Sequence, residues 1–141
     1  MEVLIDKLEQ AFQLTGDLVE GLEATQLSLG LGDLPSNRIG EQLWCVVGAR
    51  ESYFKAIQKS EWAGFNCSLI NVASKPEIIE RLQATQLEII SFLRGKTLTE
   101  KQTDLVIDLL THEIQHHGQL IRYLYGNGIK FPKSWRQKYS V

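Results

Sequence analysis

The chain has 141 residues, 43% of them hydrophobic and 23% charged, which suits one domain over residues 1–141 and leaves too little for a second core. Its 15 Lys and Arg against 17 Asp and Glu give a formal charge of -2, so no general basic field favours nucleic acid as a partner. Two cysteines, Cys45 and Cys67, are too few for a disulfide framework, and the N-terminus mixes acids into its apolar residues with no membrane-length apolar run. A soluble cytoplasmic protein with reduced thiols is the expectation.

The three prolines, Pro35, Pro76 and Pro132, fall between segments with helical periodicity, where a missing backbone donor does least harm. In the first segment Leu4, Leu8, Phe12, Leu18 and Leu22 return near one or two turns apart, with acids on the other side, and the Gly-rich stretch Gly30–Pro35 is expected to stop this helix. Ser36 or Asn37 is the expected cap of the second helix, which carries Ile39, Leu43, Val46, Arg50, Phe54 and Ile57 on one side. Gly40 and Gly48 each cost this helix roughly 1 kcal/mol relative to alanine, so another backbone or a ligand is expected close by. Arg50 is an odd core residue whose candidate partners are Glu41 and Glu113.

The third helix opens at Ser74-Lys75-Pro76-Glu77, a capping-box spacing, and closes at Gly95. The fourth starts at Thr99 with Gln102 as a weaker capping box, and Gly126-Asn127-Gly128 ends it. No period-two pattern competes. The chain therefore reads as all-α: four helices of about 20 to 27 residues in an antiparallel or crossover bundle. The link holding Cys67 reads as a loop over a bundle end, its thiol unactivated because no basic group or helix start adjoins it. The segment from Ile129 onward, basic through Lys130, Lys133, Arg136 and Lys138, reads as a solvated tail.

Chemistry concentrates on the fourth helix. At ~100° per residue, Leu105, Leu109, His112, His116, Leu120 and Tyr123 share one sector, which puts two imidazoles one turn apart inside the apolar stripe. Their ring nitrogens need partners: either a shared divalent metal or separate hydrogen bonds across the core. His117 falls about 100° further round and is expected at the surface or rim. A second apolar stripe, Ile107, Leu110, Ile114 and Ile121, faces the other way, and either the bundle wraps it or a homodimer forms on it.

The run Thr111–Leu120, THEIQHHGQL, resembles the fourth-helix signature of the DinB-like superfamily: a histidine, three residues, a second histidine, then a Gly-Gln pair. The continuation Ile121–Gly126, with Gly128, Pro132 and Trp135, is similar to that family's ending. The stretch 38–51 resembles the part of the second helix where the family places its remaining metal-binding histidine, and Cys45 stands at that position. The resemblance implies a four-helix bundle of the DinB/YfiT type, commonly dimeric, holding zinc or nickel through three such ligands. Carried over, these are Cys45, His112 and His116. Some members use a low-molecular-weight thiol, so the implied activity is a metal-dependent transferase acting with a thiol or another small molecule, or a hydrolase acting with water.

Cysteine in place of histidine has two consequences. Its side chain plus a metal–sulfur bond of ~2.3 Å is shorter than the imidazole route by roughly 1 to 2 Å. The second helix must therefore come closer, which Gly48 and Ala49 ease. A thiolate also lowers the charge of the complex to about +1, so bound water is less acidic. The competing reading is a non-catalytic dimeric bundle, a binding or stress-response protein in which Cys45 is a small buried residue and no ion is held.

Overall fold

The computed structural model describes residues 1–141 and contains helices without strands: α1 Glu2–Gly21, α2 Ile39–Lys59, α3 Lys75–Leu93, α4 Glu100–Gly126 and the short α5 Lys133–Tyr139, with a 3-10 turn at Ala24–Ser28. The four long helices are those the periodicity predicts. No helix is long and apolar enough to cross a membrane.

The core divides into two apolar clusters. One gathers Ile5, Leu8 and Phe12 of α1, Ala56 and Ile57 of α2, Ile89 and Leu93 of α3 and Leu105 and Leu109 of α4. The other gathers Leu18 of α1, Ile39 and Val46 of α2, Ile78 and Leu82 of α3 and Leu120 and Leu124 of α4. The order in which each helix visits the two clusters gives its direction: α1 and α4 run one way, α2 and α3 the other. The link between α2 and α3 must therefore carry the chain back along the bundle.

It does so against α2. Ser52 Oγ donates to Asn66 O at 3.0 Å and accepts from Asn66 N at 2.9 Å; Ser68 N donates to Glu51 Oε1 at 2.9 Å; and Cys67 Sγ donates to Trp44 O at 3.2 Å. Cys67 thus lies along the flank of α2 rather than over a bundle end, a placement hidden from a sequence that shows no periodicity there. This path accounts for both α2 glycines. A β-carbon on Gly40 would stand 2.1 Å from Val72 O, and one on Gly48 would stand 2.3 Å from the Phe65 ring. Gly48 makes room for the link, not for an approach of α2 towards α4.

Local expectations divide similarly. The Thr99/Gln102 capping box is present in both directions, and Gly95 follows α3 in the left-handed region at φ 73°. Ser74 caps α3 by accepting from Glu77 N, but Glu77 turns away to accept from Ile70 N and Asn71 N because the incoming link presents those amides. Helix α1 ends at Gly21, ahead of the Gly-rich stretch, where Lys75 Nζ donates to Glu20 O and Leu22 O. Arg38 takes the α2 cap position; Ser36 Oγ instead accepts from Leu31 N, and Asn37 faces Gln42 and Tyr123. The C-terminal segment is not a solvated tail. Trp135 is fully buried, and its indole Nε1 donates to Leu14 O at 2.6 Å, while Lys133, Arg136 and Lys138 stay exposed.

Between the apolar clusters lies a buried polar layer. Arg50 and Glu113 are both fully buried and ion-paired; Glu113 is the partner that forms, and Glu41 remains exposed. Burial by itself would raise the Glu113 carboxyl, but Arg50 outweighs it and holds the group below the usual carboxylate range. Arg50 also donates to Leu82 O at 3.1 Å and stacks 4.0 Å over the Phe12 ring. His117, expected at the rim, is fully buried because α5 folds over it. A single hydrogen order satisfies the chain: Tyr139 hydroxyl donates to His117 Nδ1 at 2.6 Å, His117 Nε2 donates to Thr15 Oγ1 at 2.8 Å, and Thr15 donates to Glu113 Oε1 at 2.6 Å.

The glycines give a paired prediction. Gly40→Ala gains about 1 kcal/mol of helix propensity but drives a methyl into the Val72 carbonyl, so a net loss of about 1–3 kcal/mol is expected in urea unfolding. Gly118→Ala on α4, where a β-carbon meets nothing within 4 Å, is expected to stabilise by up to about 1 kcal/mol.

Candidate metal centre

Cys45 projects from the second turn of α2 towards α4, and His112 and His116 project from successive turns of α4. One donor atom from each of the three residues lies within 4.8 Å of the other two, so the structure brings together the three residues carried over from the sequence resemblance. Cys45 Sγ and His112 Nε2 are 3.6 Å apart, and the two imidazole centroids are 4.6 Å apart. With zinc–sulfur and zinc–nitrogen bonds of ~2.3 and ~2.0 Å, the sulfur–nitrogen edge of a tetrahedral site is about 3.5 Å. The cysteine edge therefore already has the length a bound ion requires. Its short reach is met by the packing of α2 on α4, with the small Ala49 buried one turn further along α2.

Ring-nitrogen occupancy bears on whether a cation fits. His112 turns Nε2 to the sulfur, and its Nδ1 is buried without a hydrogen-bond partner, which costs about 1–3 kcal/mol. His116 Nδ1 faces Gln42 Oε1 at 2.5 Å, so its other nitrogen is unoccupied. A thiol and two imidazoles form a donor set that suits zinc and nickel, and the residues present fit a divalent cation.

Electrostatics favour neutral donors in the absence of an ion. Burial pushes the Cys45 thiol up. Burial lowers His112 against the opposing pull of Glu113, and it lowers His116 to about 4, with the neighbouring His112 adding to the effect. The imidazoles therefore present lone pairs at neutral pH, and only the thiol must lose a proton on ligation. Glu113, next to His112, is committed to Arg50 and Thr15 and contributes no free carboxylate.

Around the cluster, Tyr53 stands 6.5 Å from His112, ring centroid to ring centroid, and packs at 5.0 Å against the half-exposed Trp62 of the link. The roles of Tyr53, Gln42, Asn37 and Tyr123 escape a sequence reading. The available signals are that Gln42 shares the side of α2 that carries Cys45 and that Tyr123 shares the α4 sector of His112 and His116. Cys67 is a half-buried thiol raised by burial and stands outside the three-residue group.

No protein-family model matches the chain, and no curated protein matches it by sequence. The coordinates therefore establish an all-helical bundle with a Cys/His/His group able to hold a metal ion.

The buried imidazoles set a pH dependence. His117 is lowered to about 4, chiefly by burial, against an ordinary 6.5, so between those values the unfolded chain binds the proton that the folded chain refuses. Stability is complete above about pH 6.5 and falls as pH drops towards 4, at up to about 1.4 kcal/mol per pH unit for His117, with His116 acting in the same direction. Urea unfolding of chelator-treated protein across this range should show the slope; a flat profile would contradict the burial of these rings as neutral groups.

Proposed function

We propose that this chain is a DinB-type metalloprotein, a four-helix bundle in which Cys45, His112 and His116 hold one divalent cation, zinc or nickel, as the centre of a metal-dependent enzyme. The observation that carries this reading is the convergence of three donor atoms from α2 and α4 within 4.8 Å of one another. The resemblance of the α4 run His112–Gln119 to that superfamily supports it. When bound, the cation supplies Lewis acidity at a position that three protein ligands leave open. A low-molecular-weight thiol there gives a transferase, and water gives a hydrolase. The protein's own residues bind and orient: Cys45 gives up its proton on ligation, the two imidazoles stay neutral, and Tyr53 with Trp62 forms an aromatic wall at the His112 end.

One observation favours the second reading, a bundle without an ion. At 3.6 Å, Cys45 Sγ–H can donate to His112 Nε2, which gives the thiol a partner without a metal. His112 Nδ1 stays unpaired under either reading, because Nε2 is the nitrogen that faces the sulfur. Metal content separates the two. Protein purified without a histidine tag is expected to carry about one ion per chain by mass spectrometry, and His112→Ala is expected to carry almost none. Content near zero in the parent after zinc or nickel exposure would favour the ion-free bundle. Zinc added to the metal-free protein at pH 7 should release about one proton per ion, from Cys45, and affinity should rise about tenfold per pH unit until the thiol ionises. Cys45→Ala should abolish both effects.

The proposal includes a homodimer. The second apolar stripe of α4 is divided: Leu110 and Ile121 pack on the chain's own core, whereas Ile107 and Ile114 face outward, half exposed, with Tyr125 on the same ridge. A second copy would cover them. Sedimentation should give a dimer for the parent and a monomer for Ile114→Lys; unchanged monomer mass for both would remove the dimer.

A further inference from the structure

His116 has two ring nitrogens, and only one can serve the cluster. Nδ1 lies 2.5 Å from Oε1 of Gln42, a side chain that is itself buried at 6% exposure. The other end of the Gln42 amide is occupied: Nε2 donates to Asn37 Oδ1 at 2.9 Å. Asn37 is held in turn from α4, because the Tyr123 hydroxyl, two turns beyond His116, bonds its side-chain oxygen and lies 2.8 Å from its backbone oxygen. The result is a closed ring: α2 holds the histidine through Gln42, and α4 holds the anchor of Gln42 through Tyr123.

The polarity of this ring decides the state of the imidazole. With the NH₂ end of Gln42 directed to Asn37, its carbonyl end faces His116, and a ring nitrogen 2.5 Å from a carbonyl oxygen must carry the hydrogen. A neutral imidazole has only one such hydrogen, so Nε2 is left with a lone pair.

We propose that Gln42 is a positioning residue for His116, holding the ring in its Nδ1–H tautomer so that the Nε2 lone pair is presented to the group formed with Cys45 and His112. This inference rests on the reading of that group as a cation site and specifies how one of its ligands is prepared. A partner on the non-ligating N–H fixes the tautomer and orientation of a metal-ligating histidine, and loss of such a partner typically costs 10- to 100-fold in metal affinity. Glutamine does this without adding charge. A carboxylate in its place would put a further negative charge beside a site that already includes a thiolate.

The test separates tautomer from metal. In metal-free, ¹⁵N-labelled protein at pH 7, long-range ¹H–¹⁵N spectra report which nitrogen of His116 carries the proton. The expected result is Nδ1–H in the parent and in Gln42→Glu, with a shift towards Nε2–H in Gln42→Met, which matches the side-chain length but lacks the acceptor. Zinc affinity should fall 10- to 100-fold in Gln42→Met and stay at or above the parent level in Gln42→Glu. A purely structural Gln42 would lower the melting temperature of Gln42→Met without moving the tautomer. If Gln42→Met fails to fold, Asn37→Ala on an exposed residue releases the amide anchor and should produce a partial shift in the same direction. Nε2–H in the parent, or a tautomer indifferent to Gln42→Met or Asn37→Ala, would overturn the proposal. Nδ1–H dependent on Gln42 in a protein that binds no zinc would sustain the positioning role and remove the metal reading instead.

Discussion

The register between α2 and α4 depends on one buried contact, the ion pair of Arg50 with Glu113. Both side chains are fully removed from solvent, and the desolvation cost of such a pair is recovered only while its geometry and additional hydrogen bonds are complete. A slip of one turn would leave two charges unpaired in the interior, at a cost of several kcal/mol. Glu113 directly follows His112 and lies three residues before His116, and Arg50 lies five residues after Cys45. The contact that fixes the two helices therefore also fixes sulfur against imidazole and Gln42 against His116.

Around that contact the protein keeps two kinds of histidine, which differ in how their nitrogens are used. His117 has both nitrogens occupied, one by Thr15 and one by Tyr139, and Trp135 packs over it at 4.7 Å. It is a finished structural group that ties α5 to the core. His112 and His116 are incomplete by comparison, the first with an orphaned Nδ1 and the second with only Nδ1 engaged. His112 and His116, on adjacent turns beside a thiol, thus keep donor capacity that His117 does not.

The link from α2 to α3 has a larger part than its lack of secondary structure suggests. By retracing α2 it lets α3 run parallel to α2, and it covers the flank of α2 at Gly48 with Phe65 and Cys67. The two α2 glycines are the local cost of that path. Each lies where a side chain would collide with the returning chain, so a weaker helix is accepted in exchange for close packing.

The sequence by itself determined the four long helices, the Thr99 capping box, Arg50 as a core residue with Glu113 among its partners, and His112 with His116 on one inward face. Each of these follows from periodicity or local hydrogen bonding within a few residues, which a one-dimensional pattern records. Cys45 stands out through resemblance rather than pattern, since the apolar side of the second helix read from periodicity (Ile39, Leu43, Val46, Arg50, Phe54, Ile57) does not include it. The tertiary structure alone decided the rest: the course of the link, the docking of α5, the burial of His117, and the ring from Tyr123 through Asn37 and Gln42 to His116. Most of those features join residues far apart in the chain, up to 121 positions for the bond of Trp135 to Leu14. Which nitrogen of an imidazole is free depends on the atom lying opposite it, and that atom is chosen by the packing of one helix on another rather than by the residues beside it in the chain.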